Sequence, residues 1–170
     1  MRRLPVLMLG LLLVVPAGCR DASDPAADTD VAAQSDVSAG SDAVPGTAVP
    51  PCPLTAKQVS TILGQPLTDD GNCLFGDGKG VASVNITTSS PMAGSTTYEY
   101  ARQRAGETFD AVKDLASGVK AYVAVKDIAG EAVLVSEAGA YTINLSSFAR
   151  LDPAGYEQAL RALLDAIEAT

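Results

Sequence analysis

The chain has 170 residues, 20 acidic against 12 basic side chains, a formal charge of −8 and a pI near 4.4. A Lys/Arg stripe able to neutralise phosphates is not expected at that balance, so nucleic acid is set aside as a partner. Histidine is absent, which removes Ser-His-Asp and Cys-His catalysis along with the commonest zinc, copper and haem ligand; tryptophan is also absent, and the aromatics amount to 5%, too few for an extended stacking platform.

In chain order, residues 1–19 come first. Arg2 and Arg3 form a short positive region, the run Leu4 to Val15 is apolar, and the small residues Ala17 and Gly18 precede Cys19. Interrupted by Pro5, Gly10 and Pro16, the run is shorter than the roughly 20 apolar residues a spanning helix wants, so it reads as a cleaved export signal. Ala17-Gly18-Cys19 resembles a bacterial lipobox, with Pro16 standing where Leu is usual. That resemblance implies a diacylglycerol on the Cys19 thiol and Cys19 as the new N-terminus. Two or three acyl chains then hold the protein firmly to a membrane.

Residues 20–51 carry six Asp and one Arg and contain no aromatic, Leu or Ile. Such a stretch cannot bury enough apolar surface to order itself and reads as a disordered acidic tether, spanning on the order of 30 Å as a flexible coil. The globular domain is expected over residues 52–170, with 9 basic and 14 acidic side chains. Only Cys52 and Cys73 lie in it, and export places them in an oxidising compartment, so they are expected to form a disulfide.

Within the domain, Thr55-x-x-Gln58 is a capping box, Val59, Ile62 and Leu63 give an apolar face, and Gly64 and Pro66 end the helix. Asn72 to Phe75 and Ala82 to Thr88 read as strands around a Gly-rich turn, the second alternating Ala82, Val84, Ile86 against Ser83, Asn85, Thr87, one face being wet. Thr96-x-x-Glu99 opens a predicted helix whose Tyr98, Ala101, Ala105, Phe109, Val112 and Leu115 repeat at three and four residues as far as Gly118. Three strands follow, around Val119 to Val125, Ala132 to Val135 and Tyr141 to Leu145. Asp152-Pro153 then caps a last helix with Tyr156, Leu160, Leu163, Leu164 and Ile167 inward. The expected fold is α+β: a two-layer sandwich with a largely antiparallel sheet of about five strands and helices packed on one face.

Cys52-Pro53-Leu54-Thr55, Val59, Leu63-Gly64, Cys73 and a Gly130-Glu131-Ala132…Gly139 hairpin before a C-terminal helix resemble small two-cysteine envelope lipoproteins of high-GC, especially actinobacterial, genomes. The resemblance covers most of residues 52–170. It implies an envelope lipoprotein with a PsbP-like or similar α+β sandwich, and it carries over no catalytic residue.

Candidate chemistry is thin. Ser117-x-x-Lys120 matches the acylating pair of penicillin-binding enzymes, but it straddles a predicted helix end and lacks the companion motifs. Asp69, Asp70, Asn72 and Asp77 gather oxygens near the first hairpin, as a weak cation site would, without a calcium-loop pattern; solvated turns account for them and no metal is assigned. Glu107, Asp110 and Asp114 are expected on one exposed side of the second helix. The sequons at Asn85 and Asn144 fall inside predicted strands and are read as coincidences.

The sequence thus points to an exported protein, lipid-anchored to the cell membrane or outer membrane and facing the periplasm or extracytoplasmic space. Its domain is expected to be a non-enzymatic binding module with no cofactor, its partner another envelope protein. The alternative is a carrier or sensor of a small apolar, lipid-like ligand in a crevice between sheet and helices, lined by Tyr98, Phe109, Tyr141 and Phe148.

Overall fold

A computed structural model describes residues 46–148 and 150–170. The export signal over residues 1–19, the lipidation site Cys19 and the tether up to residue 45 lie outside the described residues.

The first helix, α1 (Ala56–Leu63), begins with the capping box expected of it. Gln58 N–H donates to Thr55 Oγ1, and the Gln58 side chain accepts the Thr55 N–H at 2.9 Å. Gly64, at φ 61°, ends the helix in the left-handed region. Three strands follow: β1 (Thr68–Asp69), β2 (Leu74–Gly76) and β3 (Ser83–Ser89). The long helix α2 (Pro91–Thr108) leads into β4 (Ala111–Leu115), β5 (Lys120–Lys126), β6 (Ala129–Val135) and β7 (Ala140–Ser146), and α3 (Pro153–Glu168) closes the chain. Among the described residues these make three helices and one open sheet of seven strands in the order β1-β2-β3-β7-β6-β5-β4, every neighbour antiparallel. None of the described helices is long and apolar enough to cross a membrane.

The fold is α+β and antiparallel, but about five strands is an undercount, and the helices are not confined to one face. Val84, Ile86, Val123, Val125, Leu134 and Ile143 pack with α1 and α3 on one side. Tyr122, Ala124, Val133, Val135 and Ala140 pack with Tyr98 and Ala105 of α2 on the other. The reason is visible in β5 and β6: Ala121 to Val125 and Ala132 to Val135 are apolar without alternation, and they are buried on both faces. α2 covers the second face with a narrow stripe of Gly94, Tyr98, Ala101 and Ala105. Gly94 is the point of closest approach, since a Cβ there would collide with the Cβ of Ala140.

The second correction concerns α2. It starts at Ser90, whose Oγ accepts the Ala93 N–H with Pro91 at the first helical position, and not at Thr96. It stops at Thr108, where Phe109 turns extended at φ −109°, ψ 153°. Residues 111–115 form the edge strand β4 instead of two more helical turns. Phe109, Val112 and Leu115 happen to fall at helical spacing, while Ala111, Lys113 and Leu115 against Val112 and Asp114 is the alternation the sheet uses. Glu107, Asp110 and Asp114 therefore do not share a helix side: Glu107 is on α2, Asp110 in the turn and Asp114 on β4.

Adjacent residues of β4 point to opposite layers, and each finds a partner there. Asp114 accepts from Arg102 of α2 at 2.6 Å, and Lys113 donates to Glu157 of α3 at 2.6 Å. Charged side chains on this edge also discourage pairing with a further strand. At the other end of the sheet, Cys52 and Cys73 are joined in a disulfide with Cα atoms 5.5 Å apart, tying the start of the domain to the residue before β2. The chain just before it is also docked. Met92 N–H donates to the Gly46 carbonyl at 3.2 Å, and the Pro50 ring occupies room that a side chain at position 139 would fill.

Candidate functional site

α2 is narrower than the sheet beneath it. Its stripe of small residues seats it against β5, β6 and the start of β7, so the polar positions of β3 and β7 on the same face stay open to solvent. Asn85 pairs in register with Asn144, Thr87 with Thr142 and Ser83 with Ser146, whose hydroxyls lie 3.2 Å apart. Between this polar floor and the C-terminal half of α2 runs a cleft of about 320 Å³. Its walls are Tyr100, Ala101, Arg104 and Phe109, and its floor is Glu131 and Asn144.

Glu131 is the one charged residue of β6, and the register puts it directly opposite Asn144 on β7. Its Oε1 accepts the hydroxyl of Tyr122 on β5 at 2.7 Å. Burial first, and the Glu131 carboxylate second, push the Tyr122 hydroxyl above its ordinary range, so it remains a donor to Glu131. No lysine or arginine among the described residues comes within 4.0 Å of the Glu131 carboxylate. One cation lines the cleft without a carboxylate within 4.0 Å among the described residues: Arg104, with its guanidinium carbon 6.0 Å from the centre of the Tyr100 ring; Lys126 Nζ lies 5.3 Å from the centre of the Phe109 ring. Half-buried, Glu131 is thus a carboxylate whose hydrogen-bond partner among the described residues is a neutral phenol, in a cleft shared with Arg104.

A second, wider and more open depression of about 710 Å³ lies beside the disulfide, bounded by Pro50, Cys52, Asp69, Asn72, Thr87 and Thr88. The aspartates near it have internal duties. Asp69 Oδ1 accepts the Gly71 N–H at 2.9 Å, Asp70 Oδ1 accepts from Thr68 Oγ1 at 3.2 Å, and Asp77 Oδ1 accepts the N–H groups of Lys79 and Val81. The Lys79 N–H, ahead of the others, holds the Asp77 carboxyl below its usual range. Among the described residues no group of three or more His, Cys, Asp or Glu side chains converges to hold a metal ion.

The four rings expected to line one crevice are separated by the sheet. Tyr98 and Phe109 belong to the α2 side, where Tyr98 meets Tyr122 edge to face at 5.6 Å. Tyr141 and Phe148 are buried in the core on the α1 and α3 side, at 6% and 1% exposure. Only Phe109 reaches the cleft. Lys120 of the Ser117-x-x-Lys120 match is engaged with α2: its Nζ donates to Glu99 at 2.7 Å and lies 5.1 Å from the centre of the Tyr98 ring. Sequence reasoning missed Tyr100, Arg104 and Glu131 as site residues and met Asn144 only as a sequon. The available signal was Glu131 itself, a lone charge inside the otherwise apolar stretch Ala129–Val135.

Set against family models, curated proteins and solved structures, the chain matches none.

The cleft brings together a carboxylate, a carboxamide and a guanidinium beside the apolar Ala101, Ala105 and Phe109.

Proposed function

We propose that the protein is an exported lipoprotein, anchored through a lipidated Cys19, that displays a non-enzymatic binding domain on the acidic tether of residues 20–51. The lipobox-like Ala17-Gly18-Cys19 and the tether's composition support the anchoring. The observation that carries the binding role is the cleft between α2 and the sheet, with Glu131 on its floor and no cation among the described residues within 4.0 Å of its carboxylate. A carboxylate taken partly out of water gains from a partner that supplies positive charge, and none of the described residues supplies one within 4.0 Å. The packing of α2 on the sheet and the β6–β7 pairing support the cleft walls, which lowers the ordering cost of binding.

The test of the anchor is membrane pelleting of the wild type and of Cys19→Ala. The wild type should sediment with membranes and be released by detergent, and the variant should stay in the soluble envelope fraction. A variant that still pellets in detergent-extractable form would overturn the anchoring.

A further inference from the structure

We infer that the cleft under α2 takes a small zwitterion of the amino-acid type: a free α-amino acid or a dipeptide with an apolar side chain. The inference rests on the binding reading above and names its ligand.

The size comes first. About 320 Å³ is at the low end of small-molecule sites, roughly 300–1,000 Å³, and so suits a single compact molecule. The charge pattern then narrows the chemistry. Glu131 on the floor has the Tyr122 hydroxyl as its hydrogen-bond partner and, among the described residues, no cation within 4.0 Å. Asn144, directly opposite across the β6–β7 ladder, adds a carboxamide oxygen within the same floor. An ammonium group has three donors to distribute over such acceptors. Arg104 on the wall carries positive charge with no carboxylate within 4.0 Å among the described residues, and a guanidinium fork suits a carboxylate.

A simple anion would meet the Glu131 carboxylate as it entered, and a simple amine would meet Arg104; like charges brought together in a partly desolvated site repel. A molecule carrying both charges satisfies both ends. Ala101, Ala105 and Phe109 leave an apolar wall between them for a hydrocarbon side chain. The ammonium is placed toward Glu131 and the carboxylate toward Arg104.

The experiment is calorimetric titration of the full-length chain, held in detergent micelles, with L-leucine and L-alanyl-L-leucine, and with their N-acetylated and C-amidated forms. Backbone amide shifts are followed in parallel by NMR. The free zwitterions are expected to bind with shifts centred on Ala101, Ala105, Glu131 and Asn144, and blocking either end is expected to weaken binding by at least about tenfold. Glu131→Gln, which keeps an acceptor for Tyr122, should abolish the preference for a free amine and leave the preference for a free carboxylate. Arg104→Gln, on an exposed position, should do the reverse. A merely structural role for either residue would weaken all ligands alike, and equal melting temperatures of the variants and the wild type would show that folding is not the cause. If blocked and free forms bind equally at the cleft, the zwitterion is overturned and the cleft remains a binding site. If shifts gather instead around Asp69 and Asn72, both the ligand and the site are overturned. If no compound in the panel produces heat or shifts, the inference falls, while anchoring through Cys19 is judged separately by pelleting.

Discussion

Tyr156 shows how one polar atom can be made part of a core. Its ring is fully buried under α3, and its hydroxyl donates to the Ile128 carbonyl at 2.8 Å while accepting the Phe148 N–H at 2.9 Å. Burial raises its pKa above the ordinary value, so it stays a neutral hydroxyl able to do both. Tyr156→Phe keeps the ring and leaves the buried Phe148 N–H without a partner, a loss of about 1–3 kcal/mol that thermal melting should register as a fall of several degrees. Glu157, next along the helix, is an acid-sensitive contact. Lys113 first, then Arg161, hydrogen-bond its carboxylate and hold its pKa below the usual range. Because the folded value is depressed, the stabilisation is complete above the unfolded pKa of about 4.3 and disappears as pH falls through the folded value. Glu157→Gln should therefore melt below the wild type at pH 7, and the gap should narrow as the pH falls below about 4.3. A gap that stays constant with pH would show that the charge is not what Glu157 contributes.

At the scale of elements, the disulfide is the largest single constraint. It closes a separation of 21 residues that contains α1 and β1, worth about 3 kcal/mol in the chain-entropy account. Reduction should lower the melting temperature of the wild type and leave a Cys52→Ser, Cys73→Ala double variant unmoved, read by circular dichroism with and without reductant. The two cysteines were legible because they are the only pair in the domain, and α1 and α3 were legible because Thr55-x-x-Gln58 and Asp152-Pro153 place a cap directly before an apolar period. β3 and β7 were legible from their alternation, whose polar half is the floor of the open face. What escaped was of two kinds. β1 has two residues, too few to show any period, and β4 follows α2 without a glycine or proline between them, so its apolar residues continued a helical count. The candidate site escaped for another reason. Arg104, Glu131 and Asn144 come from three elements that only the packing of α2 against the sheet brings together, and no spacing in the chain encodes that.

The whole molecule is asymmetric about its sheet. One side is sealed by α1 and α3 over a continuous apolar core; the other is half covered by α2 and half presented to water through serine, threonine and asparagine. The attachment of the N-terminal segment adds a mechanical consequence. A pull along the chain from residue 46 would first strip the short stretch that rests on Met92 and Gly139, and would then meet Cys52. From there the tension passes through sulfur to Cys73 and on to β2, which is hydrogen-bonded to β3, and α1 and β1 sit in a closed loop that carries none of it. The fold is thus shielded where a pulled chain would first unravel. Stretched from its two ends by single-molecule force, the oxidised protein should give a fully extended length shorter than the reduced one by about 70 Å, the reach of the 21-residue loop.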